Sequence, residues 1–178
     1  MRFTELLPGA FRIDVTANVD ERGLFARTFC ARTFAEHGLP AAFVQCSTSL
    51  TARRGTLRGL HWQAPPQAEA KLVRCTRGRA FDVIVDLRAR SPTFRQWASV
   101  ELTAENRAAV LVPEGYAHGF QTLEDDTEIL YQMTAFYAPE LARGARWDDP
   151  AFAVRWPLAA PILSPRDAGF PPFAPDVP

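Results

Sequence analysis

The sequence predicts an all-β fold, either a sandwich or a barrel, on three observations. Residues 79–87 alternate apolar and polar side chains with a period of two, which is typical of a half-buried strand and places Asp82 and Asp86 on the polar face. Similar runs recur at intervals of roughly 8 to 12 residues, separated by turn-forming residues. Helical spacing of apolar residues is weak along nearly the whole chain. Periodicity alone does not choose between the sandwich and the barrel.

The predicted elements are one short helix followed by a series of strands. The helix lies near residues 30–38 (CARTFAEHG) and ends at Gly38, because glycine commonly terminates helices. Prolines concentrate in residues 156–178, where they argue against a regular helix and predict a strap lying on the body of the domain. The predicted strands are 72–77, 79–87, 97–102, 108–113, 119–123 and 127–136. The turns between them are Arg77-Gly78-Arg79, Ser91-Pro92, Glu105-Asn106, Pro113-Glu114-Gly115 and Glu124-Asp125-Asp126.

Length and cysteine usage predict a single domain, residues 1–178, in a reducing cytoplasmic compartment. A chain of 178 residues can bury a core without disulfides or metal. The three cysteines, Cys30, Cys46 and Cys75, form no CxxC motif and no disulfide framework. No targeting segment opens the chain, and no run of about 18 apolar residues occurs in it.

The charge balance argues against two classes of partner. Lysines plus arginines number 20, as do aspartates plus glutamates, so no overall field would draw the protein to nucleic acid or to an anionic membrane. Phosphate loops of the GxxxxGK[ST] or GxGxxG type are absent. A diphosphate would therefore be held by arginine side chains and backbone amides.

Four features place polar groups on or beside predicted strands, and together they suggest proton transfer. They are the segment 58–63 (RGLHWQ), Lys71, the segment 113–120 (PEGYAHGF) and Tyr131. Imidazole is the usual general base near neutral pH. Lysine can stabilise an enolate oxygen, and tyrosine can deliver a proton to a carbanion from the opposite face.

Each of these residues also has an ordinary structural interpretation. Taken alone, His61 and His118 could be hydrogen-bonded structural histidines. Lys71 could be a surface lysine, Tyr131 a half-buried strand tyrosine, and Asp167 the cap of a turn.

Metal and nucleophilic chemistry are not indicated. The sequence has His61-Trp62-Gln63 where a metal-binding barrel would have a His-x-His pair, and no acidic residue follows at ligand spacing. GxSxG is absent, and no cysteine has a histidine neighbour in the sequence. A site without metal or cofactor is expected.

Several motifs follow one another along residues 20–167. They are DERGLF (20–25), FVQ (43–45) with Ser49, GTLRGLHWQ (55–63), KLVRCTRG (71–78), DVIVDLRARSPTF (82–94), LVPEGYAHGFQTL (111–123), WDDP (147–150), WP (156–157) and LSPRD (163–167). In these motifs and in their order the chain resembles the dTDP-4-keto-6-deoxyglucose 3,5-epimerase family, which contains the deoxysugar epimerases of rhamnose and antibiotic-sugar biosynthesis. So many motifs in register make the resemblance specific.

The resemblance implies a cupin double-stranded β-helix, that is, a jelly-roll barrel with few short helices. It also implies a homodimer in which an N-terminal segment joins the partner, and chemistry without metal or redox cofactor. By resemblance, His61 is the base and Asp167 the carboxylate that orients it. Lys71 stabilises the enolate at the 4-keto oxygen, and Tyr131 is the acid on the opposite face.

The resemblance also implies substrate contacts. Arg58 is expected at the diphosphate, with Gln45 and His118 lining the pocket. Arg22 with Phe25 is expected to reach the nucleotide across the dimer. Two positions near these contacts depart from the family pattern. Arg27 stands where an acidic residue is common, and Ser47, itself a candidate substrate contact, stands where asparagine is common.

The activity implied is epimerisation of a nucleotide-linked 4-keto-6-deoxyhexose at carbons 3 and 5. A mono-epimerase of another deoxysugar nucleotide is an alternative within the family. A non-catalytic cupin that binds a sugar nucleotide is an alternative from another class, although it would have no need of the proton-transfer set. A metal-dependent cupin oxygenase is disfavoured by the missing His-x-His pair.

Overall fold

The computed structural model describes residues 1–174, which form thirteen strands, two short helices and one 3₁₀ turn. The helices are α1 (Ala31–Glu36) and α2 (Pro165–Ala168), and the 3₁₀ turn is Pro139–Leu141. The strands are β1 (Arg2–Leu7), β2 (Ala10–Asp14), β3 (Ala17–Asp20), β4 (Gly23–Ala26), β5 (Gln45–Thr51), β6 (Leu57–Gln63), β7 (Lys71–Arg77), β8 (Arg79–Asp86), β9 (Trp97–Thr103), β10 (Ala109–Val112), β11 (Tyr116–Thr122), β12 (Thr127–Met133) and β13 (Ala142–Gly144).

The strands form two antiparallel sheets and a separate hairpin. One sheet has the order β1-β2-β10-β7-β12-β5, and the other has the order β13-β6-β11-β8-β9. Within residues 1–174, strands β3 and β4 pair only with each other. Strands distant in sequence lie side by side, and the two sheets face each other across a shared core. This is the cupin-like jelly roll with few short helices that the family resemblance implied.

The core between the sheets takes side chains from both of them. Val73 and Ile129 come from the six-stranded sheet, and Ile84, Leu102 and Phe120 come from the five-stranded one. A second cluster packs Phe34 of α1 against the outer side of the six-stranded sheet. Among residues 1–174, none of the helices has the length and apolar character that a membrane span requires.

The predicted strands are all present, although some of their bounds differ. Strand β11 begins at Tyr116, three residues before the predicted start, so His118 lies within the strand. Strand β12 ends at Met133, before the predicted end at Phe136. Helix α1 ends just before Gly38, whose φ of 69° lies in the left-handed region, as predicted. No strand bounds were predicted for β1 to β6 or for β13, and several of these strands lack a buried apolar face.

The interpretation of residues 79–87 as a half-buried strand is wrong. Strand β8 is buried on both faces, and Asp82 and Asp86 are 1% and 0% exposed. Val83 and Val85 pack beneath the C-terminal segment in an outer apolar cluster, so that face is not solvated either. The aspartates therefore face the barrel interior, where a buried carboxylate needs hydrogen-bond partners.

The expectation that prolines exclude a regular helix from residues 156–178 is also incorrect. Helix α2 is a single turn that begins with Pro165, a position where proline costs no hydrogen bond. The Ser164 hydroxyl oxygen caps it by accepting the Asp167 N–H at 3.1 Å. Residues 175–178 of the predicted strap and domain lie outside the described residues.

Strand register places the candidate site at one end of the barrel. His61 on β6 lies directly opposite His118 on the neighbouring strand β11. Lys71 begins β7 and Tyr131 lies on β12, which is the neighbour of β7 in the facing sheet. Strands β6 and β11 approach closely at Gly59, where a Cβ atom would lie 2.6 Å from the Gly119 Cα.

Candidate active site

Two adjoining cavities of about 450 and 400 Å³ lie at this end of the barrel. Four residues line both of them, namely His61, Lys71, Tyr131 and Arg166. Because His61 comes from one sheet and Lys71 and Tyr131 come from the other, a molecule in this space would lie between the imidazole and the phenol.

His61 forms a hydrogen bond with Asp167, which is 106 residues away in the sequence, and the contact becomes an ion pair when the imidazole is protonated. The His61 Nε2 atom lies 2.7 Å from Asp167 Oδ1, and the aspartate is 4% exposed. The Gly59 N–H donates to the other carboxylate oxygen at 3.4 Å. Burial opposes ionisation of Asp167, but these hydrogen bonds and the charge of His61 outweigh it and lower the pKa of the carboxyl. The carboxylate fixes the imidazole through Nε2, and in the part of the chain that the structure describes Nδ1 makes no hydrogen bond.

Tyr131 keeps its proton in this environment. Burial raises the pKa of the phenol well above its ordinary value. A hydrogen bond with Ser49, whose Oγ lies 3.2 Å from the Tyr131 Oη, and the positive charge of Arg58 act against this rise, while the negative charge of Asp82 adds to it. The phenol is therefore available as a proton donor at neutral pH.

A second histidine–carboxylate pair lies beside Tyr131. The His118 Nε2 atom is 2.8 Å from Asp82 Oδ2, and both residues are buried. The rings of His118 and Tyr131 meet edge to face with centroids 6.3 Å apart. Within residues 1–174 the other oxygen of Asp82 has no hydrogen-bond partner.

The remaining predicted contacts divide into two groups. Arg58 lines the larger cavity, and Gln45 and Ser47 line the smaller one. Arg22 and Phe25 do not join them, because both lie on the β3–β4 hairpin, where they line a separate surface pocket. The Arg22 guanidinium pairs there with its neighbour Asp20, and Phe25 is 72% exposed.

The sequence interpretation missed four charged residues. Asp82 was placed on the wrong face, although an aspartate inside an apolar run is a recognisable sign of a buried, paired carboxylate. Glu69 lines the smaller cavity two residues before Lys71, just ahead of β7, and the spacing of two in an extended chain could have indicated it. Arg143 and Arg166 also line the cavities, but no pattern in the sequence distinguishes them from surface arginines.

The described residues show no metal-ligand cluster. Within residues 1–174, no three histidine, cysteine, aspartate or glutamate side chains lie close enough to share a metal ion. His61 and His118 each use Nε2 to contact a carboxylate instead.

Comparison with known proteins gives consistent matches along the chain. The family described as dTDP-4-dehydrorhamnose 3,5-epimerase matches residues 4–175. The enzyme of that name from Sinorhizobium fredii is 48% identical over 153 residues, which cover 85% of this chain and 78% of the relative. The Pseudomonas aeruginosa enzyme is 46% identical over 170 residues, which cover 94% and 93% of the two chains.

Solved structures agree with these matches. The dTDP-4-dehydrorhamnose 3,5-epimerase of Elizabethkingia anophelis has a TM-score of 0.94 at 37% identity, covering 97% of this chain and 96% of its own. The Legionella pneumophila enzyme in complex with dTDP-4-keto-L-rhamnose has a TM-score of 0.87 at 38% identity, covering 94% and 89%. The 3′-monoepimerase ChmJ of Streptomyces bikiniensis has a TM-score of 0.87 at 33% identity, covering 93% and 84%. The chain belongs to the dTDP-4-dehydrorhamnose 3,5-epimerase family.

Proposed function

We propose that this protein is an isomerase that converts dTDP-4-keto-6-deoxyglucose to dTDP-4-keto-rhamnose by epimerisation at carbons 3 and 5. One observation carries the proposal. A carboxylate-oriented imidazole and a protonated phenol, from facing sheets, line the same cavities. Relatives of this name and the neighbour that holds dTDP-4-keto-L-rhamnose support the choice of substrate.

The first step is proton abstraction by His61. A proton on a carbon beside the 4-keto group is acidic, because the negative charge left by its removal is delocalised onto the keto oxygen as an enolate. His61 takes the proton on Nδ1, and the resulting imidazolium is stabilised by Asp167. The Lys71 ammonium, which lines the same cavities, stabilises the negative charge that develops on the enolate oxygen.

The second step is proton return by Tyr131. The phenol donates its proton to the carbanion on the face opposite His61, and this inverts the configuration of the carbon. The tyrosinate then regains a proton from water, and the imidazolium releases its own, so the enzyme returns to its starting state. Because the pKa of Tyr131 is raised, the phenol is protonated before each proton transfer.

Arginine side chains at the cavities hold the diphosphate of the substrate. Arg58 contacts the diphosphate from the mouth of the larger cavity, and Arg143 and Arg166 add positive charge near it. Gln45, Ser47 and His118 line the space left for the sugar and its links to the nucleotide. The net charge of zero over the whole chain does not prevent this local field.

The β3–β4 hairpin supports a homodimer. Val19, Leu24 and Phe25 are 77%, 44% and 72% exposed, and a two-stranded hairpin does not bury apolar side chains by itself. We propose that this N-terminal hairpin joins a second copy and presents Arg22 and Phe25 to the nucleotide in the partner's site. We also propose that the enzyme works in the cytoplasm, because its three cysteines are free thiols.

Product identification tests the proposed function. The purified protein is incubated with dTDP-4-keto-6-deoxyglucose, and the keto group is reduced with borohydride. Acid then releases the sugars from the nucleotide, and the sugars are separated. Rhamnose and 6-deoxytalose are the expected products of the double epimerisation. Recovery of 6-deoxyglucose and 6-deoxygalactose alone would overturn the proposal. Sugars inverted only at carbon 3 would favour a mono-epimerase, and the structurally similar ChmJ is a 3′-monoepimerase.

A further inference from the structure

Glu69 forms an ion pair with the lysine of the active site. Its Oε1 atom lies 3.1 Å from the Lys71 Nζ. The side chains of Glu69 and Lys71 are 10% and 15% exposed, so the pair is largely shielded from water. A shielded pair is screened less by salt than a surface pair, and breaking it leaves an uncompensated charge.

The backbone around Glu69 fixes the direction of both side chains. Ala70, between them, is 3% exposed, and its N–H donates to Thr134 Oγ1 at 2.8 Å. The Thr134 N–H donates to the Ala70 carbonyl at 3.0 Å. Residues two apart in an extended chain point to the same side, so the anchored Ala70 turns one way while Glu69 and Lys71 line the smaller cavity together.

Glu69 is an unexpected group in a site that receives a diphosphate. Among the residues that line the two cavities, the carboxylates are Asp167, which is committed to His61, and Glu69. An unpaired carboxylate here would repel both the diphosphate and the enolate. The repulsion from the Glu69 charge is offset while its carboxylate stays paired with the Lys71 ammonium.

We propose that Glu69 is a positioning residue that holds the Lys71 ammonium against the cavity wall, ready for the 4-keto oxygen. This inference rests on the proposed function. An ammonium has three N–H donors, so Lys71 can contact Glu69 and an enolate oxygen at the same time. In this proposal Glu69 acts through Lys71. It restricts Lys71 to one orientation before the negative charge develops on the oxygen.

The test separates the effect of Glu69 on kcat from its effect on KM. Glu69→Gln keeps the size of the side chain but removes its charge, and it is expected to lower kcat about tenfold. KM should not rise, because the substituted site is less repulsive to the diphosphate. Glu69→Asp keeps the charge and should recover most of the lost kcat. Glu36→Gln, on the exposed face of α1, is the matched control and should leave kcat and KM unchanged.

Combining the variants identifies the route through Lys71. In the Lys71→Met background Glu69 is an unpaired anion, so Glu69→Gln should leave the rate of exchange at carbon 3 unchanged or raise it. An equal fall in both backgrounds, or an unchanged kcat in Glu69→Gln, would overturn this inference alone. A wild-type protein that does not turn over the substrate would overturn the proposed function together with the inference.

Discussion

Each imidazole in the cavities is held by a carboxylate from a distant part of the chain. Asp167 reaches His61 from the C-terminal segment, and Asp82 reaches His118 from the adjacent strand. Such pairing selects one ring orientation and stabilises the charged imidazole. The two pairs differ in accessibility, since the His61 side chain is 35% exposed and that of His118 is 5% exposed. His61 is therefore the imidazole better placed to exchange a proton with a substrate.

The lowered pKa of Asp167 predicts a dependence of stability on pH. In the folded protein the pKa of this carboxyl lies below its ordinary value of 3.8. Its ionised form therefore stabilises the fold fully above about pH 5, and this contribution is lost as the pH falls through the folded-state pKa. Asp167→Asn should unfold at a lower temperature than wild type at pH 7, and the difference should shrink as the pH approaches 3. Thermal unfolding at several pH values measures this, and a difference that stays constant would contradict the assignment.

The phenol of Tyr131 predicts that proton exchange and inversion of configuration respond differently to its removal. Tyr131→Phe removes the proton donor but leaves His61 and Asp167 in place. Exchange at carbon 3 should then be spared more than epimerisation at carbon 5, because exchange needs only the base whereas inversion needs the acid. NMR of the product formed in heavy water measures both. Equal loss of exchange at carbon 3 and of epimerisation at carbon 5 would remove Tyr131 from the role of acid.

Most of the candidate residues chosen from residue types and resemblance lie together at the two cavities. Eight of the ten predicted site residues line the two cavities, and Arg22 and Phe25 do not. Glu69 and Asp82 were missed because their importance depends on burial and on partners that a linear pattern does not show. A carboxylate in a strand looks the same in the sequence whether it faces water or an imidazole.

At the scale of elements, the one-turn helix α2 determines where Asp167 lies. Its cap, the Ser164 hydroxyl, accepts the N–H of Asp167 itself. Ser164→Ala should therefore destabilise the fold by about 1 kcal/mol and should also lower kcat, because the Asp167 carboxylate loses its fixed position beside His61. Urea unfolding and steady-state kinetics measure the two effects.

A matched substitution controls for general loss of stability. Ser99→Ala lies on the edge strand β9, outside the residues that line the two cavities, and should leave kcat unchanged. If Ser164→Ala loses stability but keeps full kcat, the cap does not position Asp167.

The predictability of the elements followed the strength of their apolar pattern. Strands β7 to β12 have buried apolar residues and were all found. Strands β3 and β4 are almost entirely exposed, so they give no alternating signal. In β8 the alternation of apolar and polar residues is present, but both faces are buried. The face with Asp82 and Asp86 points into the barrel, and the C-terminal segment covers the face with Val83 and Val85.

At the scale of the whole molecule, the exposed hairpin predicts a dimer in solution. Light scattering after size-exclusion chromatography should give about twice the chain mass of 19.8 kDa. Val19→Asp places a charge on the most exposed apolar residue of the hairpin and should shift the equilibrium towards the monomer while the barrel stays folded. A wild-type protein that runs as a monomer at micromolar concentration would contradict the dimer.

Proton exchange in heavy water tests whether His61 is the base of an epimerisation. Wild-type protein and His61→Asn are incubated with dTDP-4-keto-6-deoxyglucose in heavy water, and NMR follows loss of the protons at carbons 3 and 5. We expect exchange at both carbons in the wild type, and a rate at least about a hundredfold lower at both in folded His61→Asn. Exchange that persists unchanged in His61→Asn would show that His61 is not the base.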